Sequence, residues 1–257
     1  QGLTAIPAVG PQNGGDGEML KALFLKKRLQ EMGFTEYEHF DAPDESVSAG
    51  YRPNFLTKIA GKMHSGKVWI ITHLDIVPPG ELNLWSADPY HAYVQGDRLY
   101  GRGTEDNQQD MVASIFAGKA FLDEGIVPAL TIGLFFVADE ETSGGKGLYH
   151  VLDLPEKLFS EDDLIVVPDS GKPDGSLIEI AEKSILWLQF KTTGKQCHGS
   201  KPQLGNNAFS AASYLVTQLA KLRKIFDAFD PLFDPPVCTF EPTKKETNVD
   251  NINTIPG

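Results

Sequence analysis

Three apolar runs in this sequence end in side chains that can bind metal ions or carry protons. These groups are His73 and Asp75 in KVWIITHLD, Asp139, Glu140 and Glu141 in FFVADEE, and Asp169 in IVVPDS. Imidazole nitrogens and carboxylate oxygens are the ligands that proteins offer to zinc, cobalt and manganese. In open α/β sheets, ligands bind at the carboxyl ends of the strands. The residue types therefore predict a divalent-metal site at one edge of a sheet.

The spacing of His73 and Asp75 suits a metal ligand with a supporting carboxylate. Residues i and i+2 of an extended segment share a face, so Asp75 can bind one ring nitrogen and direct the other toward a metal. The same spacing is also common at solvated strand ends. Glu140 and Glu141 are adjacent, so one can bind a metal while the other acts as a general base on water. On their own, they are more typical of surface acids ahead of the TSGGKG turn.

Asp106 and Asp169 have alternative interpretations of the same kind. Asp106 lies in GRGTEDN just before a helical pattern, where an aspartate is more often an N-cap. Asp169 lies in VPDSG, where an aspartate can simply stabilise a turn. A shared metal site is favoured because the ordinary interpretations would all have to coincide at the same strand ends.

Alternating elements would place these residues. Strands are predicted at 55–60, 67–72, 130–137 and 163–168, and helices at 19–32 and 108–124. Near-continuous apolar strands that alternate with helices favour an α/β fold with a mostly parallel sheet flanked by helices. In the first helix, Leu20, Leu23, Phe24, Lys27 and Leu29 fall near helical spacing.

A second unit of α+β type is predicted from about residue 184 onward. SILWLQFKTTG alternates apolar and polar residues with a period of two, which is typical of a strand. A helix is predicted at 206–224, and PVCTFEP and NINTIPG are predicted as short strands.

Composition excludes several classes of function. The 257 residues carry a formal net charge of −12 and no cluster of lysine and arginine, which argues against nucleic-acid and anionic-membrane partners. No apolar stretch approaches the ~20 residues of a membrane span.

The two cysteines, Cys197 and Cys238, form neither a CxxC pair nor a disulfide framework, so we expect a reducing, cytoplasmic setting. GRGTED and SGGKG lack the spacing of nucleotide-phosphate loops.

Five segments together resemble the M20 metallopeptidase family in order and approximate spacing. They are HLDIVPPG, LYGRGTEDN, ADEETSGG, VPDSG and CHGSKPQLGNNA. That family includes succinyl-diaminopimelate desuccinylase, acetylornithine deacetylase, aminoacylases, carboxypeptidases and dipeptidases. The resemblance extends from about Pro7 to Gly257, and LWSADPY is most similar to desuccinylase-like members.

The resemblance implies roles for seven residues at a site with two divalent metal ions, zinc ahead of cobalt or manganese. Asp106 would bridge the ions, His73 and Asp169 would complete the ligands of one, and Glu141 would bind the other. Asp75 would orient His73, and Glu140 would be the general base on the bridging water. His198, in HGSKP, would reach the partner subunit's active site and help hold the substrate or oxyanion. From the residues alone, His198 is interpreted as an ordinary loop histidine.

The resemblance also implies two domains. A di-zinc exopeptidase-like catalytic domain would span 1–182, with an inserted α+β, ferredoxin-like lid and dimerisation domain at 183–257. Family members carry one more metal-binding histidine in a C-terminal segment that rejoins the first domain, so both domains are expected to be incomplete here. The start, QGLTAIPAVGP, is expected to be late by about one helix.

The implied function is metal-dependent hydrolysis of small N-succinyl or N-acetyl amino acids or short peptides by a homodimer paired through the lid. One alternative is a dipeptidase or carboxypeptidase. Another is a non-catalytic dimeric scaffold that keeps the fold. The intact Glu140–Glu141 pair favours an enzyme, and metal content separates the two classes.

Overall fold

A computed structural model describes residues 1–172, 174–249 and 251–257 of the chain. The chain divides into two compact units, Gln1–Pro173 and Asp174–Gly257. The expected catalytic domain at 1–182 and lid at 183–257 stay predictions.

The first unit is built on a five-stranded sheet with helices on both faces. Its strands are β1 (Tyr37–His39), β2 (Ala42–Pro43), β3 (Tyr51–Arg52), β4 (Phe55–Ile59), β5 (Lys67–His73), β6 (Tyr93–Gln95), β7 (Arg98–Tyr100), β8 (Thr131–Val137) and β9 (Leu164–Val166). Its helices are α1 (Met19–Glu31), α2 (Gln109–Asp123) and α3 (Leu148–Leu152). The main sheet has the order β1-β4-β8-β5-β9, while β2 pairs with β3 and β6 with β7. The α/β class is therefore confirmed.

The sheet is mixed, so the prediction of a mostly parallel sheet is wrong. Strand β5 runs parallel to β8 and β9, whereas β4 runs antiparallel to β8 and β1. Only residues 60–66 separate β4 from β5, and a parallel crossover requires a dozen or more residues. The near-continuous burial of β4 concealed its direction, because apolar patterning carries no information on strand orientation.

Two apolar clusters pack on the opposite faces of the sheet, because successive strand side chains point in opposite directions. Leu134 and Phe136 pack with α1 and α2, while Phe135 and Val137 pack with Val151 of α3. The buried stripe of α1 is Lys21, Ala22, Leu25 and Leu29. The helix predicted at 19–32 is present, and Leu20 and Leu23 lie outside its buried stripe, at 70% and 55% exposure.

Gly133 allows the central strands to pack closely around Trp69. A Cβ atom at Gly133 would lie 2.4 Å from the Trp69 ring, so a larger residue would displace the indole. The Trp69 Nε1–H donates to Asp163 Oδ2 at 2.7 Å, and the backbone N–H of Lys67 donates to Asp163 Oδ1 at 2.8 Å. These contacts fix the start of β9 beside β5.

The second unit contains helix α4 (Ala208–Leu219), a 3₁₀ turn at Ala220–Lys224, and a short pair formed by β10 (Cys197–His198) and β11 (Thr254–Ile255). The predicted helix at 206–224 corresponds to α4 and this turn. Among the residues described, the predicted strands at 184–194 and 236–242 are absent. The first of them finds no partner strand, and Ile185 and Trp187 remain 79% and 76% exposed. None of the helices described is both long and apolar enough to span a bilayer.

Candidate metal centre

Three neighbouring parallel strands deliver the candidate ligands to one edge of the sheet. His73 is the last residue of β5, Glu140 and Glu141 follow β8, and Asp169 follows β9. Because β8, β5 and β9 are adjacent and parallel, their carboxyl ends lie side by side.

His73 contacts both aspartates that come from other segments. Its Nε2 lies 2.8 Å from Asp106 Oδ1 and 3.6 Å from Asp169 Oδ1. Asp106 belongs to an irregular turn, Thr104–Gln108, in which its peptide bond to Asn107 is cis. Helix α2 begins only at Gln109, with Gln108 as its N-cap, so the N-cap interpretation of Asp106 is wrong.

Asp75 contacts both His73 and the turn at residues 138–146 that carries Glu140 and Glu141, here called the acidic turn. The His73 Nδ1–H donates to the Asp75 carbonyl oxygen at 3.0 Å, and Nδ1 lies 3.4 Å from Asp75 Oδ1. Since Nδ1 carries that proton, Nε2 is the nitrogen available to a cation. Asp75 Oδ1 accepts the Glu140 backbone N–H at 3.1 Å, and Oδ2 accepts the Glu141 N–H at 2.9 Å.

Two groups of ligand atoms share the imidazole. One atom from each of His73, Glu140 and Asp169 lies within 4.8 Å of the others, and the same holds for His73, Asp106 and Glu141. All five residues expected at the metal ions, including the expected base, are therefore brought together. Each glutamate offers an oxygen to one of these groups, so the assignment of Glu140 as base and Glu141 as ligand stays a prediction.

Negative charge exceeds positive charge in this cluster. Burial opposes protonation of His73, but contacts with Asp106, Asp169 and Asp75 outweigh it and raise its pKa to about 12. Hydrogen bonding to His73 lowers the pKa of Asp106. Burial, reinforced by the negative charge of Asp106, raises the pKa of Glu141 to about 7. Burial likewise raises the pKa of Glu140; the imidazolium of His73 opposes this shift, and the negative charges of Asp169, Asp75 and Asp106 add to it.

The residues fit a divalent cation on two further grounds. Asp169 Oδ1 is buried and accepts no hydrogen bond from the residues described, and a buried oxygen without a partner carries a desolvation cost. The donor set of one imidazole with several carboxylates is also the set that zinc, manganese and cobalt accept.

Asp139 does not join the cluster, although it lies in the same FFVADEE segment. Its carboxylate accepts hydrogen bonds from Ser143 Oγ at 2.8 Å and the Lys146 backbone N–H at 2.9 Å, and it faces Arg52 at 3.5 Å. Arg52, together with Glu18, Lys21 and Asn54, was missed by sequence reasoning. The available signal was a charged residue at an apolar position: Lys21 shares helical spacing with Leu25 and Leu29.

His198 lies in the second unit, at the end of β10. Its Nδ1 accepts the Ser200 backbone N–H at 3.1 Å and lies 2.8 Å from Ser200 Oγ. His198 as a whole is an exposed residue.

Comparisons with known proteins agree with this fold. A family model, peptidase family M20/M25/M40, matches residues 69–243. An uncharacterized metallohydrolase of Methanococcus maripaludis is 44% identical over 99% of this chain and 63% of its own length. A succinyl-diaminopimelate desuccinylase of Delftia acidovorans is 28% identical over 99% of this chain and 64% of its own length. The chain thus spans less than two thirds of these curated relatives.

A solved structure shares the fold. The M20 family metallo-carboxypeptidase Sso-CP2 of Sulfolobus solfataricus matches with a TM-score of 0.61 at 18% identity, over 85% of this chain and 48% of that one. The resemblance predicted from the five ordered segments is confirmed by the family model. The chain belongs to peptidase family M20/M25/M40.

Proposed function

We propose that the protein hydrolyses the amide bond of N-acyl amino acids or short peptides, using two divalent cations at the edge of its sheet. The observation that carries this proposal is the crowding of oxygens around His73: those of Asp106 and Glu141, and those of Asp169 and Glu140, each lie within 4.8 Å of one another and of the imidazole. Zinc is the proposed ion, and cobalt and manganese are expected to substitute because the site is rich in carboxylates. The name of the Delftia relative favours N-succinyl amino acids as the first substrates to test.

In this proposal, four residues would bind the cations and one would transfer a proton. His73, Asp106, Glu141 and Asp169 would hold the ions. When bound, the ions would supply Lewis acidity, which lowers the pKa of water and stabilises negative charge on the amide oxygen. Glu140 would take the proton of the attacking water and pass it to the amine nitrogen as the carbon–nitrogen bond breaks.

Asp75 would orient a metal ligand, and His198 would bind the substrate or its oxyanion. Asp75 would keep His73 in the orientation that presents Nε2, because it occupies Nδ1. His198 would donate a hydrogen bond to the substrate or its oxyanion, which is consistent with an Nδ1 that accepts from Ser200 and a proton placed on Nε2. We further propose that His198 serves the site of a partner subunit in a homodimer.

A substrate panel with metal analysis tests this function. The metal-free protein would be loaded with zinc, cobalt or manganese and assayed on N-succinyl and N-acetyl amino acids, dipeptides and C-terminally blocked peptides. Turnover of the acyl amino acids with close to two ions per subunit is expected. If the protein prefers free dipeptides, or peptides with a free C-terminus, its function is that of a dipeptidase or carboxypeptidase instead of hydrolysis of N-acyl amino acids. Little metal and no turnover would instead favour the scaffold.

A further inference from the structure

Arg52 is fully buried and lies among three acidic side chains. Its Nε donates to Glu18 Oε2 at 2.6 Å, and its Nη2 also donates to Glu18. Its Nη1 lies 3.5 Å from Asp139 Oδ1 and 3.6 Å from Asp44 Oδ2. Arg52, Glu18 and Asp139 each have a side-chain exposure of 0%. Removing a guanidinium and two carboxylates from water is costly, so the group requires an explanation beyond stability.

Asp139 starts the turn that carries the two glutamates, and its backbone is unfavourable. Its φ angle of +62° lies in the left-handed region, the one such non-glycine value among the described residues. That conformation is unfavourable for a residue with a side chain unless the surroundings fix it. Three groups of the turn bind the Asp139 carboxylate: the hydroxyls of Thr142 and Ser143 and the backbone N–H of Lys146.

Asn54 holds the same turn at both ends. Its Oδ1 accepts the Ala138 backbone N–H at 2.9 Å, and its Nδ2 donates to the Lys146 carbonyl at 2.9 Å. The segment Arg52-Pro53-Asn54 therefore contacts the turn through two side chains, one ionic and one amide.

The antiparallel direction of β4 brings this segment to the site. Phe55 of β4 is paired with Phe136 of β8, so the entrance of β4 lies beside the carboxyl end of β8. A parallel β4 would have placed Arg52 and Asn54 at the opposite edge of the sheet.

We infer that Arg52, supported by Glu18, is a positioning residue that fixes the Glu140–Glu141 pair through Asp139. The inference rests on the proposed metal centre. By holding Asp139 in its left-handed conformation, Arg52 aims the N–H groups of Glu140 and Glu141 at the two oxygens of Asp75. Loss of that hold would loosen the acidic turn while leaving His73, Asp106 and Asp169 in place.

Two variants and a matched control test the role of Arg52 in the full chain. Arg52→Lys keeps the charge but removes the two-pronged contact with Glu18, and Glu18→Gln keeps the size but removes the charge of the partner. The control is Leu29→Ala, which removes a fully buried apolar side chain from α1 and is expected to lower stability without touching the turn. Zinc affinity is measured by competition with a chromophoric chelator, and amide exchange at residues 138–146 is measured in the metal-free protein.

Zinc affinity is expected to fall ~10–100-fold in Arg52→Lys and Glu18→Gln, the range seen when outer supporting residues of metal sites are changed. Amide exchange within residues 138–146 should accelerate in both. Leu29→Ala should keep its zinc affinity within about twofold. If Arg52→Lys does not fold, Glu18→Gln decides the question.

The inference is overturned if the variants that fold bind zinc as the parent does, or if the control loses as much affinity. Failure of the parent chain to bind zinc would contradict the proposed function and this inference together. Normal zinc binding by parent and variants alike would contradict only the inference.

Discussion

At the scale of single residues, Asp75 is the link between the two halves of the candidate centre. Its Oδ1 faces the imidazole of His73. Both its carboxylate oxygens accept backbone N–H groups from the turn after β8. An asparagine in its place would retain one oxygen and would point an NH₂ group at a backbone donor. A change at Asp75 should therefore disturb ligands on both strands.

We expect Asp75→Asn to weaken zinc binding about 10–100-fold, the usual effect of changing a carboxylate behind a metal ligand. His73→Ala, which deletes the proposed ligand itself, should be harsher. Metal retained after dialysis, measured by atomic emission, compares the two variants. Equal retention would contradict the proposed arrangement of His73 and Asp75.

The adjacent glutamates are expected to respond differently to the same isosteric change. Glu140→Gln should keep its metal and lower kcat by about 10²–10⁴, the range for loss of a general base. Glu141→Gln should lose metal as well as rate, because an amide is a weaker ligand than a carboxylate. Metal content and turnover measured on the same samples check this. A Glu140→Gln variant within a few-fold of the parent would rule out Glu140 as the base.

The sequence was informative about these residues only where chemistry and spacing coincided. The spacing of His73 and Asp75 predicted their contact, since an extended strand places them on one face. The contact between Asp75 and the Glu140 peptide was not predictable, because it joins residues 65 positions apart and uses a backbone donor that every residue possesses. The role of Asp139 was missed for a related reason, since its left-handed backbone and its bond to Arg52 leave no periodic pattern.

At the scale of elements, helix α1 carries a buried lysine within its apolar stripe. Lys21 is 1% exposed, and its Nζ has no hydrogen-bond partner among the residues described. Burial lowers its pKa to about 8, although the nearby carboxylates of Asp75 and Glu18 act in the opposite direction. The charged amine therefore destabilises the fold and places positive potential behind Asp75.

Lys21→Met is expected to stabilise the protein at pH 7 by roughly 2–4 kcal/mol, from a pKa of 10.5 lowered to about 8 at ~1.36 kcal/mol per unit. Between those pH values the unfolded parent binds more protons than the folded parent, so the parent's stability rises with pH. The advantage of the variant should thus be largest below pH 8 and fade by about pH 10.5. Urea unfolding across this range measures it, and a constant difference would contradict the assignment.

Element types were largely predictable, and directions and partners were not. The strands at 67–73 and 131–137 and helix α2 follow their predicted bounds closely, because long apolar runs and helical periodicity survive in any packing. The reversed direction of β4 followed from the seven-residue connection at 60–66 rather than from its composition. The segment 184–194 alternates apolar and polar residues as a strand does, but the predicted strand is absent from the described residues. A strand also needs a neighbouring strand to pair with, and a periodic pattern does not supply one.

At the scale of the whole molecule, the second unit presents an apolar segment to solvent. Ile185, Leu186, Trp187, Leu188 and Phe190 are each more than half exposed. Contiguous exposed apolar residues are typical of protein–protein contacts, which supports the proposed homodimer. The proposal makes His198 a residue of the partner's site.

Mixed dimers test that assignment. His198→Ala and Glu140→Ala subunits should each be nearly inactive alone. In a heterodimer, one site receives both defects and the other receives neither, so mixing should restore up to half of the parental activity per heterodimer. If His198 serves its own subunit, both sites stay defective and mixing restores nothing. A monomer in sedimentation would contradict the dimer itself.

The antiparallel pairing of β4 with β8 has a kinetic consequence. Arg52 and Asp139 are 87 residues apart, so the acidic turn is held only after a long loop has closed and the central strands have paired. Zinc should therefore bind after the rate-limiting step of folding. We expect the refolding rate constant to be independent of zinc and the unfolding rate constant to fall as zinc rises. Stopped-flow measurements with and without zinc would reveal this asymmetry, and faster refolding in zinc would mean that the ion recruits its ligands before the sheet exists.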